Sequence, residues 1–338
     1  MKILILGGTR FLGRHVVQQA LDAGHQLTLL HRGRSAPALF PGAEHRIGDR
    51  DTDLAAVLAG GTWDTVIDTS AYFPRQVRSA AAVLAGRVGQ YQLVSSISAY
   101  AAFDMPHTDE DAALQTLADP TVQTLTGETY GGLKALCEAA ARESFGACCL
   151  VARPGLLVGP FDPTGRFTWW AQRFVRAAAG EPEVLTPGKP DEPMQCIDCR
   201  DAAAWMLLQA EAGRSGTFNL TGPERACTFG DLMHSAQQAL APRSQLLWVD
   251  EAFLVAEGVA PWTDLPLWLP AAQSGLHRVS IDRALATGLR CRPLAQTLAD
   301  TAAWAATAPP PVLGGPLRPN VGLASEREAA LRAAWLAP

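Results

Sequence analysis

Tyr130 and Lys134 stand four residues apart, in Tyr-Gly-Gly-Leu-Lys, and the pair Ser95-Ser96 lies roughly thirty-five residues earlier. On a helix, residues four apart share a face, so a phenol and an ammonium would meet there. An ammonium beside a phenol favours the phenolate and draws its pKa of ~10 towards neutrality. The tyrosine could then exchange a proton at working pH. At this spacing alone the pair also describes an ordinary exposed helix. The serines raise it: they end the strand pattern YQLVSS, Tyr91–Ser96, and open α/β sheets bind ligands at the C-terminal ends of their strands.

A second constellation opens the chain. The apolar run Ile3–Leu6 leads into GGTRFLG, Gly7 to Gly13, and then into a helix pattern. In a dinucleotide site Gly7 permits the tight turn, Gly8 leaves room near the backbone, and Gly13 lets the helix pack close to the sheet. The helix N-terminus then faces a pyrophosphate with free N–H groups. Arg10 stands where a glycine-rich loop wants bare backbone. The second strand pattern, Gln26–Leu30, is followed by His31-Arg32-Gly33-Arg34 and by no acid. An acid there would hold the ribose 2′-hydroxyl of NAD, whereas arginines pair with a 2′-phosphate in a forked, charge-assisted geometry. Arg10 and Arg32 would thus converge on one phosphate and the site would read NADP; as solvated surface cations they would mean nothing of the kind. Asp49, in IGDRD, would accept from the adenine amino group or simply lead the next helix.

These residues require elements to position them. Strand patterns at Lys2–Gly8, Gln26–Leu30, His45–Gly48, Asp64–Ser70, Tyr91–Ser96 and the CCLVARP run alternate with helix patterns at Phe11–Ala23, Asp53–Leu58, Arg75–Ala85 and Glu128–Ser144. Short apolar strands alternating with helices predict βαβ units and a parallel sheet buried on both faces. After Pro160 the pattern loosens. An amphipathic helix carries Arg166, Trp169, Trp170 and Arg173; MQCID reads as a late strand, and Asp201 as the cap of a helix over Ala202–Glu211. The expected division is a dinucleotide-binding domain over residues 1–160, to which 192–222 returns, a substrate lobe over 161–305, and a Pro-rich linker with a short polar helix over 306–338.

The chain has 338 residues, 48% of them apolar, and a net charge of −5 spread along its length. That suits one large α/β unit or two unequal lobes, and it lacks the basic face of a nucleic-acid binder. The N-terminus enters a strand at once, and no apolar run approaches the ~20 residues of a membrane span. The expectation is a soluble cytoplasmic protein with neither nucleic-acid nor membrane partners. Of seven cysteines, Cys148 and Cys149 fall in an apolar strand pattern, and Cys196 and Cys199 have a CxxC spacing without a second ligand pair for a metal. We expect reduced, structural cysteines and no metal site.

Taken in order and spacing, GGTRFLG, the Asp49 turn, LVSSISAY, Tyr130…Lys134, RPGLLVGP (Arg153–Pro160) and CIDCRDAA resemble the extended short-chain dehydrogenases/reductases, the NAD-dependent epimerase/dehydratase family. The likeness spans residues 1 to about 230. It implies an α/β fold: a Rossmann, doubly wound parallel sheet with a smaller, mixed C-terminal substrate lobe. It implies Ser96 as the catalytic hydroxyl, Tyr130 as proton donor and acceptor, and Lys134 as the residue that tunes the tyrosine and holds the nicotinamide ribose. The expected cofactor contacts are Gly7, Gly8, Thr9, Arg10, Phe11, Leu12, Gly13, Arg32, Asp49, Arg50, Ser70, Tyr130, Lys134 and Pro154. Two departures matter. Ile97-Ser98 stand where family dehydratases carry Asp-Glu, which disfavours sugar dehydration, and the acid after the second strand is missing.

The expected reaction is therefore a reversible carbonyl reduction with NADPH, Ser96 binding the carbonyl oxygen and Tyr130 protonating it. Alternatives are a nucleotide-sugar epimerase that retains NAD, and a non-catalytic dinucleotide-sensing or RNA-associated scaffold. Arg166 and Arg173 would receive an anionic substrate, a nucleotide sugar or carboxylate, or else form a solvated helix face. Trp169, with Trp170, Trp262 and Trp268, would wall an apolar pocket or belong to the core. The alanine-rich helix bearing Tyr130 and Lys134 suits a homodimer interface or burial under the second lobe.

Overall fold

The computed structural model describes residues 1–34, 39–103, 107–309 and 321–337. In chain order the elements are β1 (Lys2–Leu6), α1 (Phe11–Asp22), β2 (Gln26–His31), β3 (Glu44–Ile47), α2 (Leu54–Val57), β4 (Trp63–Asp68), α3 (Pro74–Leu84), β5 (Val88–Val94), α4 (Gly127–Phe145) and β6 (Cys149–Pro154). They continue with β7 (Leu157–Val158), α5 (Arg166–Ala178), β8 (Glu183–Pro187), β9 (Ile197–Asp198), α6 (Cys199–Glu211), β10 (Gly216–Leu220), α7 (Phe229–Leu240), β11 (Gln245–Val249), α8 (Glu251–Ala256), α9 (Asp282–Ala286), α10 (Leu294–Ala305) and α11 (Ser325–Leu336).

The chain divides into two compact units. The first comprises Met1–Leu157, Cys199–Glu224 and Val279–Arg290; the second comprises Val158–Asp198, Arg225–Arg278 and Cys291–Pro338. In the first, seven parallel strands run in the order β10-β6-β5-β4-β1-β2-β3. Ile3, Leu4, Ile5 and Leu6 are all fully buried, a continuous apolar run that only a sheet covered on both faces requires. Alternation sorts them. Leu4, Leu6, Val66 and Leu93 join Val77 and Leu84 of α3 and Cys137, Ala140 and Ala141 of α4 in one core. Ile5 and Leu29 point instead at Val17 of α1, around Gly8. Burying each large aliphatic side chain this way is worth roughly 1.5–3 kcal/mol. The small face of α4 is used within this unit, where the helix packs on α3.

The return to the sheet is longer than the sequence pattern indicates. β10 pairs with β6 at the sheet's edge, and the segment from Val279 follows it. Val279 bridges Thr108, and Asn219 Nδ2 donates to the Ser280 carbonyl at 2.9 Å. This segment covers an edge strand that would otherwise present unpaired backbone. Nothing in residues 279–290 signals this locally, because the pairing is made over some sixty residues of intervening chain. Helix α6 begins at Cys199, so Asp201 lies in its first turn and is not its cap. MQCID contributes only the two-residue β9.

In the second unit α5, α7 and α10 pack together, and β8 pairs with β11 in parallel. Phe167, Trp170 and Phe174 of α5 are fully buried. The expected proline linker falls, over residues 310–320, outside the described residues. The C-terminal helix α11 is not the separate polar appendage its composition suggests: Glu328 and Leu331 are buried against this unit. Among the described residues no helix is long and apolar enough to cross a membrane.

Candidate active site

Helix α4 starts where the chain Thr126-Gly-Glu-Thr provides a cap. The Thr126 hydroxyl accepts from the Thr129 N–H at 3.2 Å, and Thr129 Oγ1 in turn receives the Thr126 N–H at 2.9 Å. Tyr130 therefore sits in the first turn and Lys134 one turn further in. The intervening Gly-Gly is costly inside a helix, and the structure gives the reason. A Cβ on Gly131 would lie 2.1 Å from the Ser98 carbonyl oxygen, and one on Gly132 2.5 Å from the Leu117 side chain. Bare backbone lets α4 approach the turn that follows β5.

That turn carries the serines. Ser96 caps the single 3₁₀ turn Ile97–Ala99: its Oγ accepts from the Ser98 N–H at 3.1 Å and donates to Ser98 Oγ at 3.1 Å. The Tyr130 side chain lies near Ser96, whose hydroxyl acts to lower the phenol's pKa. Ser95 points the other way, donating to Glu138 Oε1 at 2.6 Å. Glu138 is fully buried and also receives Arg153 through two nitrogens, at 2.9 and 2.7 Å. Arg153 Nη1 continues to the Tyr100 hydroxyl at 2.9 Å and the Glu110 carbonyl at 3.0 Å. This buried network fixes α4, β6 and the serine turn to one another. Ser98 and Glu138 were not anticipated. The signals were the Ser-Ile-Ser spacing and a glutamate four residues past Lys134.

Lys134 is 3% exposed and its Nζ donates to the carbonyls of Ala71 at 2.7 Å and Val94 at 2.9 Å. It lies 5.9 Å from the centre of the Tyr130 ring and 4.8 Å from that of Tyr72. The expected lowering of the phenol's pKa is corrected here. Burial pushes the Tyr130 hydroxyl above its ordinary value, and the nearby Ser96 hydroxyl opposes this only in part. The phenol is thus held as the protonated acid at neutral pH.

The glycine loop fits a pyrophosphate. Gly7 has φ +108° and its N–H donates to the Leu30 carbonyl at 2.9 Å, tying the loop to β2. A Cβ on Gly7 would lie 2.5 Å from Thr69 Oγ1, and one on Gly13 2.9 Å from the Gly8 backbone. Side chains here would fill the cradle in front of α1. Thr9 and Phe11 are partly exposed in the loop, Phe11 at φ 33°, and Leu12 is buried. Arg10 precedes α1 and Arg32 follows β2; both are exposed. β1 and β2 pair with Leu6 opposite Leu30, so the two loops emerge side by side.

Other expected cofactor contacts are differently placed. Arg50 is buried and forked onto Asp68 at 2.7 and 2.8 Å, with further bonds to Ser70 Oγ at 2.9 Å and the Gln76 carbonyl. Its expectation as a cofactor ligand is corrected: it fixes the loop after β4 to α3. Burial by itself would raise the Asp68 pKa, but the charge and hydrogen bonds of Arg50, with Tyr91, hold it below the usual carboxylate value. Ser70 Oγ donates to the Leu6 carbonyl at 3.1 Å, beside the glycine loop. Asp49 is half-buried, and its Oδ1 accepts from the Asp51 N–H at 3.0 Å. Pro154 ends β6 opposite Leu220.

In the second unit, Arg173 is 0% exposed. Its Nε contacts both oxygens of Glu328, at 2.8 and 2.7 Å, and the carbonyls of Glu181 and Glu183 complete its shell. Its expected substrate role is corrected; it joins α5 to α11. Arg166 stacks over Trp262 at 4.9 Å and has a buried, unpaired Nε. Trp169 packs edge-on against Trp170 and so closely on Gly322 that a Cβ there would lie 2.0 Å from its indole. Trp169 is thus mainly packed, not presented. All seven cysteines are free. Burial pushes the Cys149 thiol up to about 12 and that of Cys137 up to about 11, and Cys196 also rises well above its ordinary value. These thiols stay protonated and unreactive.

A parallel sheet in the order 3-2-1-4-5-6, extended by one strand, with a glycine loop after its first strand, defines a Rossmann dinucleotide-binding fold. The chain belongs to the NAD dependent epimerase/dehydratase family, which it matches over residues 3–221. It is 29% identical over 256 residues, 70% of its length, to the chloroplast stem-loop binding protein of 41 kDa b of Arabidopsis thaliana, of whose length it spans 63%. Among solved structures, a putative epimerase from Burkholderia cenocepacia superposes with a TM-score of 0.67 at 20% identity, over 90% of this chain and 98% of that one. The UDP-glucuronic acid 4-epimerase of Bacillus cereus, solved with NAD, gives 0.64 at 14% identity, over 90% and 96%. At these identities the structures establish a shared fold.

Proposed function

We propose that the protein is an NADP(H)-dependent oxidoreductase that reduces a carbonyl, or oxidises the corresponding alcohol, of a small molecule. The observation that carries this is the half-buried Tyr130 phenol, close to Ser96 and raised in pKa by burial, so that it keeps its proton at neutral pH and has one to give. Bound nicotinamide dinucleotide supplies or accepts the hydride. Ser96 holds the carbonyl oxygen, supported by its own bond to the Ser98 N–H. Tyr130 donates its proton to that oxygen as negative charge develops on it. Lys134, fixed by two carbonyls, anchors the ribose side of the site and presents a positive charge near the resulting phenolate. Arg10 and Arg32, in the absence of an acid after β2, favour a 2′-phosphate. Arg166, with its stacked but incompletely bonded guanidinium, is the residue retained for an anionic substrate group.

A second reading, a nucleotide-sugar epimerase with retained NAD, is favoured by membership of the epimerase/dehydratase family. An RNA-associated role, suggested by the Arabidopsis relative's name, fits poorly with a net charge of −5. The protein is expected to act in the cytoplasm. Thermal-shift titration separates the first two readings: stabilisation by NADP(H) at lower concentration than NAD(H) supports reduction, and tightly co-purifying NAD supports epimerisation.

A further inference from the structure

His31, the last residue of β2, and His45 of β3 meet edge-on, with ring centres 5.1 Å apart and planes at 88°. His31 Nδ1 accepts the Gly33 N–H at 3.1 Å, so the single proton of the neutral ring lies on Nε2. Nε2 approaches His45 Nδ1 at 2.8 Å and must donate to it. The His45 proton then lies on Nε2, which meets the Phe40 carbonyl at 3.0 Å. Donation therefore runs one way, from Gly33 through both imidazoles to Phe40, and each tautomer is dictated by the next link.

We propose that this neutral two-imidazole relay is the cofactor-specificity element of the dinucleotide site. It holds Gly33, and with it Arg32 and Arg34, in the turn that receives the 2′-phosphate of NADP(H), and it closes the end of β2 to the ribose 2′-hydroxyl of NAD(H). The proposal rests on the NADP(H) reading given above. The closing follows from the lone pairs. Where an acid would accept a ribose hydroxyl, His31 Nδ1 is capped by Gly33, and the one remaining imidazole acceptor, His45 Nδ1, is filled by His31. The holding follows from the two ends of the relay, which fasten Gly33 to the end of β2 and Phe40 to β3.

Protonating either ring turns one link into two N–H groups facing each other, so the relay exists only with both rings neutral. Burial, and then the neighbouring His45, keep the His31 pKa below the ordinary imidazole value. The cations nearest in sequence are Arg32 and Arg34 after β2 and Arg10 and Arg14 at the start of α1. His15 is the other titratable group of α1 in this region. On β3, Glu44 and Arg46 lie on the opposite side from His45 by strand alternation and pair with each other at 2.8 Å. Asp49 follows beyond the strand.

The test is the equilibrium binding of NADPH and NADH to the wild type, His31→Leu and His31→Asn from about pH 5.5 to about pH 8. An asparagine Oδ1 can replace the Nδ1 acceptor but cannot be protonated. His31→Leu is expected to lose about tenfold in NADPH affinity with little change for NADH. His31→Asn should stay within about threefold of wild type at neutral pH. It should also retain NADPH better than wild type on the acid side, where the 2′-phosphate, with its own pKa of ~6, affects both proteins alike. An unchanged NADPH-to-NADH ratio in His31→Leu overturns the relay while leaving the NADP(H) reading intact. A wild type that binds NADH as tightly as NADPH overturns that reading and the relay with it. Should the leucine variant not fold, long-range ¹H–¹⁵N spectra of the wild-type imidazoles decide: Nε2–H tautomers on both rings are expected, and an Nδ1–H tautomer on either one refutes the relay.

Discussion

At the scale of single residues, the site depends on which of two opposed influences governs Tyr130. The neighbouring Ser96 hydroxyl lowers the phenol's pKa and burial raises it; here burial prevails. The free enzyme should therefore keep its acid protonated through neutral pH. The rate of carbonyl reduction is expected to stay level from about pH 7 to about pH 9 and to fall only as the phenol ionises above its ordinary value of ~10. A pH–rate profile of kcat/KM that already declines below pH ~8 would show Tyr130 poised as a base instead. The candidate trio Ser96, Tyr130 and Lys134 was legible in the sequence, because helical spacing and a strand end are local signals. Arg50 and Arg173 were misread for the converse reason. A charged side chain counts as exposed until its partner is known, and Asp68 and Glu328 lie 18 and 155 residues away.

At the scale of elements, the approach of α4 to the serine turn is what brings a phenol and a hydroxyl together. Gly131→Ala would place a methyl carbon 2.1 Å from the Ser98 carbonyl oxygen, and neither backbone can yield cheaply. The variant is expected to lose roughly 1–3 kcal/mol of stability, as overpacking does, and to lose turnover beyond what that alone causes. Denaturant melts and steady-state rates on the same preparation check both; a variant with wild-type turnover would show that the contact does not position Tyr130. The strands and helices of the first unit were readable from alternating apolar runs, with boundaries displaced by up to three residues, as at β5. The segment 279–290 was not, since its place beside β10 comes from contacts such as Asn219 to Ser280 and not from its own pattern.

At the scale of the whole molecule, the second unit is joined end to end by a buried charge pair. Arg173 of α5 and Glu328 of α11 are 0% and 1% exposed, so the C-terminal helix is part of that unit's core. Removing one partner leaves the other charged and buried: Arg173→Met should cost about 3–5 kcal/mol, and Arg173→Met with Glu328→Leu should recover most of it. Thermal or urea unfolding of the three proteins measures this, and a single variant as stable as wild type would deny the pair a structural role. The sequence disclosed α11 as a helix but not where it docks, because its polar composition conceals the one buried glutamate. The central claim, net carbonyl reduction through Tyr130, is most directly tested by following the absorbance of NADPH across a panel of carbonyl compounds and nucleotide sugars with wild type and Tyr130→Phe. The account predicts that wild type oxidises NADPH with at least one carbonyl substrate and that the phenylalanine variant, still binding NADPH, is slower by ~10²–10⁴-fold. Interconversion of a nucleotide sugar by protein carrying NAD, with no net change in nicotinamide absorbance, would contradict it.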